Sequence, residues 1–243
     1  MRTMPTFETD FLRCAEIADG TMAFHFVRPA DFDFRAGQAV TLSLIDPPET
    51  DTKGNRRTFS IASAPFEDQI LIATRMRDTA FKRTLRTMRA HTRVRIRGPM
   101  GTFTLDPDEE RPAVMLAGGI GITPFVSMLR QASYDGLRRD LFLFYSNRTP
   151  RDAPFLQELI RLERRNARYR FIGTMTSTED LRGPWYGERG FLNPEILARA
   201  LGDLRAPTYY IAGPPAMVAG MQGLLTAAGV AKEHIHNDEF FGY

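Results

Sequence analysis

Two turns rich in glycine and proline, in the second half of the chain, have the residue types that bind a phosphate group. They are GGIGITP at 118–124 and GPP at 213–215, with Met217 following the second. Glycine lets the backbone approach a ligand closely, and the free amides at the start of a helix attract an anion. We predict Thr123 as the N-cap and Pro124 as the first helical residue. The spacing is not G-x-G-x-x-G, so a simple strand-to-helix turn is the alternative to a dinucleotide site.

A third motif, RTFS at 57–60, lies in the first half of the chain. Alternation along a strand places Arg57 and Phe59 on one face, where they could offer a phosphate clamp and an aromatic platform to one ligand. Ser60 would point the other way unless the strand bends. The alternative is a core phenylalanine beside a surface arginine.

This motif lies within the first hundred residues, in which short strands alternate with turn residues. That pattern predicts a small antiparallel barrel. The predicted strands are Phe7–Ile17, Met22–Val27, Gln38–Leu44, Arg57–Ser63, Gln69–Arg75 and Arg93–Arg97. One predicted helix, Ala80–Arg89, has apolar residues at helical spacing and Thr79 as a candidate cap.

After the polar segment 106–110, the pattern changes to alternating strands and helices, which predicts a parallel sheet flanked by helices. The predicted strands are Ala113–Ala117, Leu141–Ser146, Tyr169–Thr174 and Thr208–Ala212, and the helices are Thr123–Gln131, Phe155–Arg165, Asn193–Leu201 and Ala216–Ala228. We therefore predict two domains, a Greek-key-type antiparallel β-barrel over residues 1–108 and an α/β domain over residues 109–243.

Composition restricts the chemistry. Hydrophobic residues make up 43% and charged residues 25%, as in ordinary globular proteins. The one cysteine, Cys14, excludes a disulfide or a cysteine-ligated iron–sulfur cluster within these 243 residues. The four histidines show no metal-ligand spacing, so no metal site is predicted. Of the 32 basic residues 29 are arginine, which favours anionic ligands or reflects codon usage.

Met1–Asp10 lacks an apolar run, and we expect a cytoplasmic protein with no membrane segment.

The order and spacing of these motifs resemble those of the ferredoxin–NADP reductase family over nearly the whole chain. The resemblance rests on RTFS at 57–60 (the family's R-x-Y-S), GPMG at 98–101, GGIGITP at 118–124, and GPP at 213–215 with Met217. It implies a barrel that holds FAD, an α/β domain that holds NADPH or NADH, and no iron–sulfur domain.

The resemblance also implies which residues contact these molecules. For the flavin they are Arg57, Thr58, Phe59, Ser60, Ala73, Thr74, Arg75, Thr79, Ala80, Phe81 and Lys82. For the dinucleotide they are Gly118, Gly119, Gly121, Thr123, Asn147, Arg148, Gly213, Pro214 and Met217. Ser60 would lie near flavin N5. Phe59 replaces the family's tyrosine and lacks its hydroxyl, and Ala212 stands where the family has a cysteine.

The C-terminal segment is aromatic, and the family places an aromatic tail over the flavin. Glu239 and Phe240 are the candidates for a proton-network carboxylate and for this tail, with Phe241 and Tyr243 as substitutes. The alternative is simple packing of the tail on the core.

Arg148 could pair with a 2′-phosphate, which favours NADPH over NADH.

The implied function is a flavoprotein reductase: hydride passes from NAD(P)H to FAD, and single electrons pass to a separate carrier such as ferredoxin, flavodoxin or a haem protein. A free-flavin or quinone reductase is the first alternative. A barrel that binds nucleic acid is the second, since the pI is about 9.2. We expect no nucleic-acid partner, and the oligomeric state stays open.

The arginines between 83 and 97 form either a solvated surface or a dock for an acidic carrier.

Overall fold

The computed structural model describes residues 4–106, 110–177 and 185–240. The first part forms an antiparallel sheet of six strands in the order β4-β3-β6-β1-β2-β5. The strands are β1 (Thr6–Ala18), β2 (Thr21–Val27), β3 (Ala39–Leu44), β4 (Arg56–Ser60), β5 (Gln69–Arg75) and β6 (Arg93–Met100). The amide of Ala62, just beyond β4, donates to Leu71 O of β5 over 2.7 Å, so the two ends of the sheet meet. The predicted antiparallel barrel is confirmed.

Helix α1 (Ala80–Thr87) lies between β5 and β6 and closes the barrel core. The Thr79 hydroxyl accepts a hydrogen bond from the Lys82 amide, which confirms Thr79 as the predicted cap. Ala80, Phe81 and Leu85 are buried, and phenylalanines from β1 and β2 fill much of the core beneath them. The cap fixes where the helix begins, and therefore which first-turn residues face outward.

The second part is a parallel sheet of six strands in the order β10-β9-β8-β7-β11-β12. The strands are β7 (Ala113–Gly118), β8 (Leu141–Asn147), β9 (Tyr169–Met175), β10 (Glu188–Arg189), β11 (Thr208–Gly213) and β12 (Ile235–Glu239). The helices are α2 (Thr123–Tyr134), α3 (Leu156–Glu163), α4 (Pro194–Leu201) and α5 (Pro215–Ala227). This arrangement confirms the predicted α/β fold.

Two strands of this sheet have no counterpart in the sequence analysis, and both lie at its edges. The central strands β7 and β11 are buried on both faces and are mostly apolar, which makes them easy to predict. In contrast, β12 has the sequence IHNDE and is half exposed, and β10 has only two residues. Edge strands lack the apolar run that identifies a buried strand.

The start of α2 also differs from the prediction. A 3₁₀ turn, Gly119–Ile122, intervenes between β7 and α2, and Ile122 occupies the cap position. Thr123 is the first helical residue, and its hydroxyl donates to Ile120 O over 3.1 Å. The predicted N-cap role of Thr123 is therefore wrong. The 3₁₀ turn leads directly into the helix, so Ile122 takes the cap position and Thr123 lies inside the helix.

Helix α2 also joins the two domains. The Ser127 hydroxyl donates to Ser63 O over 2.6 Å, and both groups are buried. Arg130 donates to Ala62 O over 3.2 Å and forms ion pairs with Glu67 of the barrel and Glu158 of α3. The barrel and the α/β domain therefore share one packed junction. The predicted boundary between residues 108 and 109 lies outside the described residues and stays a prediction.

Helices in the described part of the chain are too short or too polar to cross a bilayer.

Candidate active-site cleft

A cleft of about 250 Å³ opens where the barrel meets the α/β domain. Its walls come from β4, β5, the start of α1, the turn after β7, and the residue after β12. The lining residues are Lys53, Arg57, Thr58, Phe59, Ser60, Ala73, Thr74, Arg75, Arg77, Thr79, Lys82, Ile120, Thr123 and Phe240. Eleven of these fourteen are residues that the resemblance assigns to a cofactor or to catalysis.

Strand β4 supplies a cation and a ring to the same wall of the cleft. Arg57 lies over the Phe81 ring at 5.1 Å from its centre, and the rings of Phe59 and Phe81 are 6.1 Å apart. Arg57 and Phe59 thus share one face, as strand alternation predicts. Ser60, the last residue of β4, also lines the cleft although it follows Phe59 directly.

Arg57 also organises the loop before β4. Its guanidinium donates to Lys53 O over 2.8 Å and to Gly54 O over 2.9 Å, and it forms an ion pair with Asp51 at 3.1 Å. A guanidinium has five N–H donors, so it can hold this loop and still offer a donor to a phosphate.

The cleft carries a strong excess of positive charge. Its lining includes five cations, and no aspartate or glutamate stands among the lining residues. The cations are Lys53, Arg57, Arg75, Arg77 and Lys82. Asp51 and Asp152 pair with Arg57 and Arg75 from outside the lining. Such a cleft favours a ligand with more than one negative charge, and the pyrophosphate of a dinucleotide fits this requirement.

Lys82 is the most perturbed of these cations. Its ammonium donates to Arg75 O over 2.6 Å. Burial, together with the nearby Arg77, Arg57 and Lys53, lowers the pKa of Lys82 to about 8. The neighbouring cations repel the Lys82 ammonium. An anion bound beside them offsets this repulsion and stabilises the charged form of Lys82.

This pKa predicts how the affinity for FAD depends on pH. Below pH 8 the Lys82 ammonium is charged in the free protein and attracts the pyrophosphate. As the pH rises above this value the charge is lost, and the affinity should fall by at most about tenfold per pH unit. Flavin titrations from about pH 6 to pH 10 measure this. Lys82→Met should abolish the dependence above pH 8, whereas Lys53→Met should retain it.

The two glycine turns of the α/β domain pack against each other at the cleft. A Cβ on Gly121 would lie 2.7 Å from Gly213 Cα and closer still to the Ala212 carbonyl. A Cβ on Gly118 would collide with the Met217 sulfur and lie 3.0 Å from Pro214 Cδ. Gly121 is therefore required for the contact between the turn after β7 and the end of β11, whatever it also contacts in a ligand.

Asn147, at the carboxyl end of β8, points its side chain into the α/β domain without a partner. Its amide nitrogen and oxygen are both buried, and neither forms a hydrogen bond with a described residue. The next residue, Arg148, is exposed. Ligands of open α/β sheets bind at the carboxyl ends of the strands, and an unpaired buried amide there fits a polar ligand.

The C-terminal strand contains two acids, Asp238 and Glu239, just before an aromatic residue of the cleft lining, Phe240. The Phe240 amide donates to Gly213 O over 3.0 Å, and its ring lines the cleft. Glu239 is exposed, whereas Asp238 is half buried beside Ala212, and burial raises the pKa of Asp238. The sequence analysis did not name Asp238, because it did not predict β12. Alternation along that strand is what places the two neighbouring acids on opposite faces. Phe241 and Tyr243 lie outside the described residues.

Several of the residues suggested by the resemblance lie apart from the cleft lining. Ala80 and Phe81 are buried in the barrel core, where Phe81 supports Arg57 and Phe59 from behind. The lining, in turn, includes residues that the sequence analysis left out: Lys53, Arg77 and Ile120. Their positions depend on loops, which carry no periodic signal.

Three of the six arginines between 83 and 97 pair with acids of the described residues. Arg83 pairs with Glu49 at 2.5 Å, and Arg95 pairs with Glu8 at 3.0 Å. Arg93 also pairs with Glu8, at 3.3 Å. A dock for an acidic carrier on this surface stays a prediction. Among the described residues, no group of three His, Cys, Asp or Glu side chains is placed to bind a metal ion.

The family description "oxidoreductase NAD-binding domain" matches residues 115–223, which span the α/β domain from β7 into α5. Ferredoxin–NADP reductase B of Sorangium cellulosum is 33% identical over 88% of this chain and 92% of its own length. This chain belongs to the ferredoxin–NADP reductase family. A solved ferredoxin NADP+ reductase from Neisseria gonorrhoeae with bound FAD and NADP has a TM-score of 0.83 at 22% identity, and the match covers 97% of this chain and 99% of that one. At this identity the likeness concerns the fold.

Other relatives in this family are longer. The glycine betaine monooxygenase reductase subunit of Chromohalobacter salexigens is 27% identical over 94% of this chain, which spans only 63% of that protein. The chain spans 57 to 63% of the first three monooxygenase reductases that it matches.

The cleft fits the flavin that the family resemblance implies. Phe59 and Phe240 offer aromatic surface, and five cations, one of them the partly buried Lys82, offer charge for a pyrophosphate. The capped first turn of α1 also presents Thr79 and Lys82 to the same space. We assign Arg57, Thr79 and Lys82 as the residues that would hold the pyrophosphate, and Phe59 as the ring that would contact the isoalloxazine.

Proposed function

We propose that this protein is a flavoprotein reductase that takes a hydride from NADPH or NADH and delivers electrons to a separate carrier. One observation supports this proposal above the others. A single cleft is lined by the RTFS motif on one side and by Ile120 and Thr123, next to the glycine turn, on the other. A group bound by the barrel would therefore meet a ligand bound by the α/β domain.

The residues of this chain would bind and orient the two reactants. Arg57 and Lys82 would hold the negative charge of FAD, and Phe59 would keep water from one face of the ring. Bound FAD supplies the redox chemistry, because its ring accepts a hydride and releases electrons singly. Ser60, Glu239 and Phe240 are our candidates for catalytic contacts, and we add Asp238 as the half-buried acid of the same segment.

The printed names of the relatives support a protein carrier as the acceptor. They include ferredoxin–NADP reductases and reductase subunits of monooxygenases. The 243 residues contain one cysteine and therefore cannot ligate an iron–sulfur cluster through cysteines. We propose a ferredoxin, a flavodoxin or a haem protein as the carrier, and a cytoplasmic location.

The test begins with the colour of the purified protein. We expect a yellow protein that bleaches under anaerobic conditions when NADPH or NADH is added. Titration of the reduced protein against ferredoxins, flavodoxins and haem proteins then identifies the carrier, and oxidation only by free flavin or quinone would favour the first alternative. A colourless protein that binds oligonucleotides in a salt-sensitive way would contradict the proposal.

Arg148→Ala tests the choice of dinucleotide. If Arg148 pairs with a 2′-phosphate, the KM for NADPH should rise by about tenfold or more, with little change for NADH. Arg138→Ala is the matched control, since this exposed arginine precedes β8 whereas Arg148 follows it. An equal rise for both dinucleotides would remove Arg148 from the 2′-phosphate site.

A further inference from the structure

The segment of residues 148–155 joins β8 to α3, and we call it the β8–α3 connector. Among the described residues, it reaches the barrel through Arg151, Asp152 and Phe155. Arg151 forms an ion pair with Asp19 at 3.1 Å, and Arg151 O accepts a hydrogen bond from the Asp19 amide over 2.8 Å. Phe155 packs on a small barrel cluster that contains Ala62. The connector is therefore fixed to the flavin-binding domain.

Asp152 lies at the centre of this attachment. One carboxylate oxygen forms an ion pair with Arg75 at 3.4 Å, and the other accepts a hydrogen bond from the Thr149 hydroxyl over 2.7 Å. The side chains of Asp152 and Arg75 are 26% and 30% exposed, so water screens the pair only in part. Asp152 thus contacts a barrel residue and the start of the connector at the same time.

Arg75 stands on the other side of this pair and lines the cleft. It is the last residue of β5, and its carbonyl oxygen accepts the hydrogen bond from Lys82. A continuous set of contacts therefore runs from Lys82 through Arg75 and Asp152 to Thr149. Thr149 follows Asn147 and Arg148, the two residues that we expect to contact the dinucleotide.

We infer that Asp152 is a positioning residue for the nicotinamide dinucleotide: through Arg75, it fixes Asn147–Thr149 relative to the flavin cleft. This inference rests on the proposed function. Asp152 lies outside the cleft lining, so its effect on binding would be exerted through its two partners. A contact network of this kind can carry coupling between two sites, and the coupling is measured as a free energy.

Asp152→Asn is the test variant, because asparagine keeps an acceptor for the Thr149 hydroxyl and removes the charge that pairs with Arg75. In the FAD-loaded protein we expect the Kd of the dinucleotide to rise about three- to fivefold, as for other partly exposed ion pairs. The rate of flavin reduction at saturating dinucleotide should change by less than about twofold. Without dinucleotide, the Asp152 and Ala153 amides should exchange hydrogen faster than in the wild-type protein.

Asp19→Asn is the matched control, since it removes the other ion pair between the connector and the barrel, away from the cleft. We expect it to leave the Kd unchanged. Equal changes in Kd and in melting temperature for both variants would indicate a purely structural role and overturn the inference. An unchanged Kd in Asp152→Asn would overturn it as well.

A double-mutant cycle shows whether Asp152 acts through Arg75. In an Arg75→Gln background, Asp152→Asn should have no further effect on the Kd. The same three- to fivefold effect in that background would contradict the inference. Failure of the proposed function looks different, because a wild-type protein that binds no flavin, or does not bleach with NADPH or NADH, rejects that proposal before any variant is compared.

Discussion

Arg57→Ala should deprive the protein of most of its flavin. The change removes a cation from the cleft wall and releases the loop that Arg57 holds through Lys53 O and Gly54 O. Loss of a hydrogen bond to a charged phosphate costs about 1.5–3 kcal/mol, so the Kd of FAD should rise roughly 10- to 100-fold. The flavin-to-protein absorbance ratio after gel filtration, and a fluorescence titration with FAD, measure the effect.

Two further variants distinguish loss of the specific Arg57 contact from a general loss of positive charge. Arg56→Ala removes the neighbouring arginine, which is exposed and lies outside the cleft lining, and it should leave the Kd unchanged. Arg57→Lys keeps the charge but loses the planar fork, so its Kd should lie between those of Arg57→Ala and the wild type. Normal flavin content in Arg57→Ala would exclude Arg57 from the site.

Gly121→Ala should destabilise the α/β domain strongly. The new methyl group would overlap the Ala212 carbonyl and the Gly213 backbone, and neither can move as a flexible side chain would. Overpacking of this kind costs about 1–3 kcal/mol. In a chain of this length the melting temperature should fall by roughly 2–12 °C, which calorimetry measures. The dinucleotide should also bind more weakly to the folded protein, because the turn after β7 can no longer pack against Ala212 and Gly213 at the end of β11.

The same substitution at Gly220 or Gly223 provides the control. Both are exposed within α5, and a Cβ there would have no atom within 4 Å. Alanine in a helix interior is favoured over glycine, so these variants should gain about 0.5–1 kcal/mol. If Gly121→Ala is as stable as they are, the close contact between the two turns is not required.

Much of the fold was predictable from the sequence because its signals are local. The apolar runs of β7 and β11 identify strands buried on both faces, and Thr79 marks the start of α1. Features that leave no local signal in the sequence were not predicted. The polar sequence of β12 resembles a loop, so the sequence predicts no strand there and does not separate the exposed Glu239 from the half-buried Asp238. Phe81 was expected at the flavin and lies in the core behind Arg57.

The sequence by itself determined the family resemblance, the two kinds of sheet and the glycine and arginine motifs, because each depends on residue types at short spacing. Only the tertiary structure decided which side chains share the cleft. Lys53, Arg77 and Lys82 meet Ile120 and Phe240 across the junction of two domains, and Asp152 meets Arg75 across 77 positions of the chain. Contacts of this range depend on how β5, α1 and the glycine turn pack in three dimensions, and no periodicity of the sequence records that packing.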